Sequence, residues 1–185
     1  ITGSEVEDPD VYTTGYVRWP VLYQITKSQG MMIAKAKKSV LKEAIKGSDI
    51  VHFLLPFRIQ KKGKAIADAM GVPTSAAFHL QPENITSTLH LEGFKTINEM
   101  IYSSFRRFYN RFGHVHCPSK MIEGELKKRD YAPHLHVISN GVDPKFKPKA
   151  VRKPERFKDR FVILMIGRLS REKRQDLVVE DVKKS

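Results

Sequence analysis

The stretch Ser48-Asp49-Ile50-Val51-His52-Phe53-Leu54-Leu55-Pro56 decides the fold class. Ile50 to Leu55 is a short, nearly continuous apolar run, and Pro56, which has no backbone N–H, stops it. A strand buried on both faces reads this way, whereas a half-exposed strand alternates. Upstream, Met32, Ile33, Ala36, Val40, Leu41, Ala44 and Ile45 recur at helical spacing with lysines on the other face, and Gly47 ends the pattern. That predicts a helix over 32–46. Downstream, a second helix over 64–70 is stopped by Gly71-Val72-Pro73. A second strand follows over 74–78, and then a polar turn beginning at His79.

The alternation continues to the end of the chain. Residues 94–112 predict a long helix whose aromatic face (Phe94, Tyr102, Phe105, Phe108, Tyr109, Phe112) has the spacing of a core. Residues 115–117 predict a third strand, and Ser119 after Pro118 is placed to cap a helix running to about Arg129. Residues 136–139 predict a fourth strand, closed by the Asn140-Gly141 turn signal. Pro144, Pro148 and Pro154 with many charges mark 145–160 as a linker. Another apolar run, 161–166, predicts a buried strand that ends at Gly167, with a helix from about Glu172. The fold class expected is α/β, a Rossmann-like parallel sheet with helices on both faces. Ligands in such sheets sit beyond the carboxyl ends of the strands. That singles out His79, Ser119, Asn140 and the segment from Gly167 to Lys173.

Composition narrows the function classes. The 185 residues are 41% hydrophobic and 29% charged, enough apolar content for a core and against wholesale disorder. No run approaches the roughly 20 apolar residues of a membrane-spanning helix, and the opening residues lack the pattern of a signal peptide. The single cysteine, Cys117, offers neither an internal disulfide nor a metal cluster, which fits a reducing cytosol. Net charge is +13, and twelve Lys or Arg against three acidic residues fall between Lys145 and Arg174. An anionic partner follows from such a balance, although charge runs are usually solvated faces. A non-enzymatic anion- or nucleic-acid-binding module using 145–174 is therefore the alternative to any enzyme. Against it, the segment lacks a nucleic-acid recognition motif and has few interleaved aromatics, so no nucleic-acid partner is expected.

The sharpest chemistry lies in Ile163-Leu164-Met165-Ile166-Gly167-Arg168-Leu169-Ser170-Arg171-Glu172-Lys173-Arg174. An apolar run enters a glycine, and Arg168 and Lys173 follow at the start of a helix. Gly167 lets a ligand approach the backbone, and unpaired helix N–H groups attract anions. Arg168 can grip a diphosphate bidentately, with Lys173 as a point charge. Cations at a helix start oppose its dipole unless an anion compensates. The spacing is not that of a P-loop.

Read with its neighbours, this segment is one of an ordered set. Ser48-Asp49-Ile50-Val51-His52, Gly71-Val72-Pro73 with a strand ending at His79, and His116-Cys117-Pro118-Ser119 come first. Ile138-Ser139-Asn140-Gly141-Val142-Asp143 and the strand into Gly167-Arg168-Leu169 complete it. Together they resemble the family-four glycosyltransferases of GT-B fold over roughly residues 40–185. The resemblance implies a two-domain enzyme that transfers a hexosyl group from a nucleotide diphosphate sugar to an acceptor, with retention and without a cofactor or essential metal. By the same resemblance, residues 1–144 form part of an acceptor-side Rossmann-like domain, 145–160 the interdomain linker, and 161–185 the first strand and helix of a donor-binding domain. His79 is the implied catalytic residue near the transferred sugar. Gly167, Arg168 and Lys173 are implied to bind the donor diphosphate and stabilise the leaving group. Asn140, Gly141, Asp143 and Ser119 are implied at the cleft edge.

Two family features are not seen in this sequence: a glycine-rich loop before residue 30 and a pair of spaced glutamates late in the donor-binding domain. The chain is accordingly expected to be an internal fragment, with little or no transferase activity by itself and a tendency to self-associate through exposed sheet edges. The lysine-rich face of the first helix suits an anionic membrane surface. A membrane lipid or glycolipid precursor as acceptor, and a cytoplasmic location at the inner face of a membrane, are the corresponding expectations.

Overall fold

The first helix, α1 (Lys38–Ile45), forms where Leu41 and Ile45, one turn apart, turn inward and lysines turn out. Both belong to a core cluster with Ile59, Ile66 and Ala67, against which Val51 and Val72 also pack. Val51–Phe53 is β1, and Arg58–Ala69 is α2. Gly63 of α2 faces β1 closely: a Cβ there would lie 3.0 Å from the Phe53 ring. Gly71, at φ +69, ends that turn in a left-handed conformation that favours glycine. The remaining elements are β2 (Thr74–Ala77), α3 (Pro82–Thr88), α4 (Lys95–Tyr109), β3 (His114–Cys117), α5 (Lys120–Lys127), β4 (His134–Val137), a 3-10 turn (Glu155–Phe157) and α6 (Gln175–Lys184).

This computed structural model describes residues 1–3, 7–19, 23, 33–89, 91, 94–167, 169 and 173–184. The chain divides into two units, one made of Ile1–Leu80 and Ile101–Ser139, the other of Gln81–Met100 and Asn140–Ser185.

The first unit holds a four-stranded sheet in the order β1-β2-β3-β4, every neighbouring pair parallel. The α/β class and the Rossmann-like parallel sheet expected from the helix–strand alternation are what the chain forms. Burial follows the strand alternation. Phe53, Ala76, Val115 and Cys117 point inward, while His52 and His114 on the alternate positions are exposed. The inner face is aromatic. Phe78 lies 6.4 Å from Tyr102, stacked, and 5.2 Å from Tyr109 between ring centroids. Tyr131 meets Phe78 edge-on at 6.0 Å. The hydroxyls of Tyr109 and Tyr131 are satisfied, Tyr109 donating to the Ala77 carbonyl at 3.1 Å and Tyr131 to the Tyr102 carbonyl at 2.9 Å. Fully burying one such ring stabilises by about 1.5–3 kcal/mol. Lys64 is also buried, paired with Asp68 and lying over the Phe112 ring at 5.2 Å.

Several elements differ from the sequence expectation. α1 begins at Lys38 rather than 32, and Met32 lies outside the described residues. α2 begins six residues before the expected start, because Ile59, Gly63 and Ile66 make a buried stripe that a basic face conceals. The polar turn after His79 contains α3, with Pro82 at its first helical position, where a missing N–H costs nothing. Residues 161–166 form no strand: none of them pairs with another strand, and all are exposed.

In the second unit, Thr86 is buried and donates to Asn98 Oδ1 at 2.8 Å. From Asn140 onward nearly every described residue is exposed, and α6 has no buried residue.

Candidate functional site

At the carboxyl end of β2 the backbone stays in register one residue past the strand, the Phe78 N–H donating to the His116 carbonyl at 2.9 Å. Phe78 turns into the core, so His79 emerges on the opposite face by strand alternation. There its ring meets His116 edge-on, 5.3 Å between centroids. The His116 Nε2 lies 2.6 Å from the Ile138 carbonyl. A carbonyl can only accept, so that nitrogen carries a proton. His52 Nδ1 lies 2.8 Å from the Ser75 hydroxyl on the neighbouring strand.

These rings belong to a larger array. Register pairs His114 with His134 and His116 with His136, so strand alternation puts all four on the outer face. His134 and His136 are 4.5 Å apart between centroids, and His114 Nδ1 lies 3.0 Å from His136 Nε2, one donating and the other accepting. Burial lowers the pKa of His79 below the ordinary histidine value, and His116 and His52 lower it further. His52 is lowered by burial and by His116, and His136 by burial and by His134, His114 and His116. Burial, and then the crowding of like groups, favours the neutral ring at His52, His79 and His136, where each can accept one hydrogen bond and donate one. Among the described residues no group of three or more His, Cys, Asp or Glu is arranged to hold a metal ion.

Cys117, next along β3, points the other way and is fully buried. Burial pushes its thiol up to about 11, so it is unreactive near neutral pH. Ser119 caps α5, its hydroxyl accepting from the Ile122 N–H at 3.3 Å. Of the residues singled out from sequence, the first unit holds His79 and Ser119. It surrounds His79 with His116 and His52, which sequence reasoning did not select. The alternating pattern His114-Val115-His116 and His134-Leu135-His136 carried that signal, but only register shows that the four share a face.

The second unit holds the rest. Asn140, Gly141 and Asp143 are exposed. Asp143 is engaged by its own chain: Oδ1 accepts from the Lys145 N–H at 2.9 Å and Oδ2 pairs with Lys145 Nζ at 2.8 Å. Those bonds hold its carboxyl below the usual range. Gly167 and Lys173 come side by side, since a Cβ at Gly167 would lie 3.6 Å from Lys173 Cγ. Arg168 lies outside the described residues. No described helix is long and apolar enough to cross a membrane.

The family model described as Glycosyltransferase Family 4 matches residues 3–146. No curated protein and no solved structure matches the chain.

Proposed function

The chain belongs to glycosyltransferase family 4, and from that premise we propose that it serves hexosyl transfer from a nucleotide diphosphate sugar to an acceptor, with retention and without a cofactor or essential metal. The observation that carries this reading is His79, held edge-on to His116 at the carboxyl end of β2, where ligands of parallel sheets bind. A ring kept neutral there can hydrogen-bond a sugar hydroxyl while a reacting bond is positioned.

The donor's diphosphate is assigned to Gly167, Arg168 and Lys173, which lie beyond the span matched by the family model. The close approach of Gly167 to Lys173 supports this assignment. Lys173 would then oppose the charge that develops on the leaving diphosphate. Asn140, Gly141, Asp143 and Ser119 are proposed for the cleft edge. Residues 145–160 are proposed as the linker between an acceptor-side domain and a donor-side segment. The unpaired run 161–166 leaves the diphosphate turn without a sheet behind it, so the 185-residue chain by itself is proposed to turn over little donor. The lysine face of α1 favours a membrane lipid or glycolipid precursor as acceptor, with the protein at the cytoplasmic face of a membrane.

The test is to incubate the 185-residue chain with UDP-, GDP- and ADP-hexoses while following nucleotide release and binding. Saturable binding with release near background is expected, and His79→Ala is expected to shift the bound sugar's NMR contacts without changing the fold. Appreciable turnover by the isolated chain would remove the proposal of inactivity. Steeply salt-dependent oligonucleotide binding, much tighter than for every nucleotide sugar, would replace the reading with a nucleic-acid module.

A further inference from the structure

A cavity lies in the first unit, lined by none of the histidines of the array. Its volume is about 380 Å³, and Trp19, Ile33, Phe57, Lys35, Arg58 and Lys62 are among the residues that line it. One wall is a short extended pairing: the Val17 N–H donates to the Ile33 carbonyl at 2.8 Å and the Lys35 N–H to the Gly15 carbonyl at 2.8 Å. The other wall is the start of α2, tied to the first by Lys62 Nζ donating to the Ala36 carbonyl at 3.0 Å. The remaining lining is apolar, and no carboxylate is among the described lining residues.

Three cations on an apolar cavity with no counter-charge among the described lining residues are an arrangement that folding alone does not favour. Lys35 and Arg58 form no ion pair among the described residues, although both face the same space. No acidic residue occupies the first turn of α2 to compensate. Trp19 keeps 71% of its surface in solvent, a large cost in unburied apolar area if nothing covers it. An anion alone would answer the cations but not the tryptophan, and an apolar ligand alone would answer the reverse.

We infer that this cavity binds an organic phosphate, a phosphoryl group carried on an apolar or aromatic body. The phosphoryl oxygens accept from Arg58, with Lys35 and Lys62 as flanking charges. The body lies against Trp19 and Phe57. The start of α2, which lines the cavity, follows the carboxyl end of β1, as His79 follows the carboxyl end of β2. The inference does not depend on sugar transfer, so it stands or fails separately from the reading of His79.

Trp19 is the chain's single tryptophan, so its fluorescence reports on this cavity alone. Titration with phenyl phosphate is expected to change Trp19 emission saturably. Inorganic phosphate is expected to bind at least about tenfold more weakly, since it lacks the apolar body. Arg58→Gln and Lys35→Gln remove exposed side chains without a described bonding role, and should each weaken phenyl phosphate binding about tenfold with an unchanged circular dichroism spectrum. Lys149→Gln should leave binding unaltered. Vesicles of phosphatidylcholine with and without phosphatidylglycerol separate the sources. An emission change only with the anionic vesicles assigns the phosphate to a lipid headgroup, and a change only with the soluble probe assigns it to a free phosphate ester. No change in Trp19 emission with any probe, or an equal response in wild type and Arg58→Gln, would overturn the inference.

Discussion

Two six-residue apolar runs in this chain meet opposite fates. Ile50 to Leu55 yields β1, whose three residues pair in parallel with Thr74, Ser75 and Ala76 and whose Phe53 sits against Gly63 of α2. Phe161 to Ile166, apolar at every position and stopped by Gly167, forms no strand, with Phe161 92% and Ile166 87% exposed. The difference lies in what each run finds. A strand's backbone groups need a partner edge and its side chains need a covering layer. The first run has β2 and two helices within the next or preceding thirty residues. Among the described residues, the helix that follows the second run is α6, and none of it is buried.

The largest effect that would break this comparison is a truncation on each side. Phe78→Ala removes a fully buried ring that touches Tyr102, Phe105, Tyr109 and Tyr131. It should lower the unfolding free energy of the first unit by about 3–5 kcal/mol, read from urea midpoints. Ile166→Ala should fall within about 0.5 kcal/mol of wild type, as exposed substitutions do. A comparable loss for Ile166→Ala would show that the second run is buried in solution and that the contrast is false.

The same contrast explains what could be read from sequence. β1, β2 and β3 were legible because apolar runs and stop signals coincide with real pairing. α4 was legible because Tyr102, Phe105, Phe108 and Tyr109 follow helical spacing and are all buried. The run at 161 was misread because periodicity registers apolar character and not the presence of a neighbour. β4 was placed two residues late because His134 and His136 occupy its outer face, so the strand has no continuous apolar run. α3 was hidden by polar side chains, although Pro82 at its first turn and Glu83 beside it are start signals. For the candidate site, the position after the second strand singles out His79, and the resemblance alone gives it a catalytic role. His116 and His52 were out of reach because their grouping depends on register between strands far apart in sequence.

Proton uptake sharpens the comparison at a middle scale. His52, His79 and His136 are all held below the ordinary histidine pKa of about 6.5 in the folded chain. Below that value the unfolded chain therefore binds more protons than the folded one, and acidification favours unfolding. The stabilisation from neutral rings is full above about pH 6.5 and is lost as the pH falls toward the lowered folded values. The groups facing these rings are the histidines of β3 and β4, His52 of β1 and His79 after β2, with Ser75 as the uncharged neighbour. Residues 140–185 contain no histidine, so that segment should not share the loss. Urea midpoints should fall between about pH 7.5 and about pH 5.5. His116→Gln, which removes the ring that lowers all three, should flatten the slope. A midpoint that rises on acidification would show that the array is stabilised by charge rather than by neutrality.

The smallest expected change in stability bears on the second run directly. Gly167 has no left-handed backbone conformation, and a Cβ there would meet Lys173 Cγ at 3.6 Å and Gln175 Nε2 at 3.8 Å, ordinary contact distances. Gly167→Ala should consequently leave the urea midpoint unchanged within about 0.5 kcal/mol. If the glycine is there for a diphosphate to approach the backbone, the same methyl should weaken binding of a nucleotide diphosphate sugar several-fold in a calorimetric titration. Lost affinity at unchanged stability would mean that the turn after the unpaired run is preformed for an anion even without a sheet behind it. Unchanged affinity would mean that the chemistry read at Gly167 and Lys173 is not realised in this chain. The first run would then be the only one of the two that carries both structure and site.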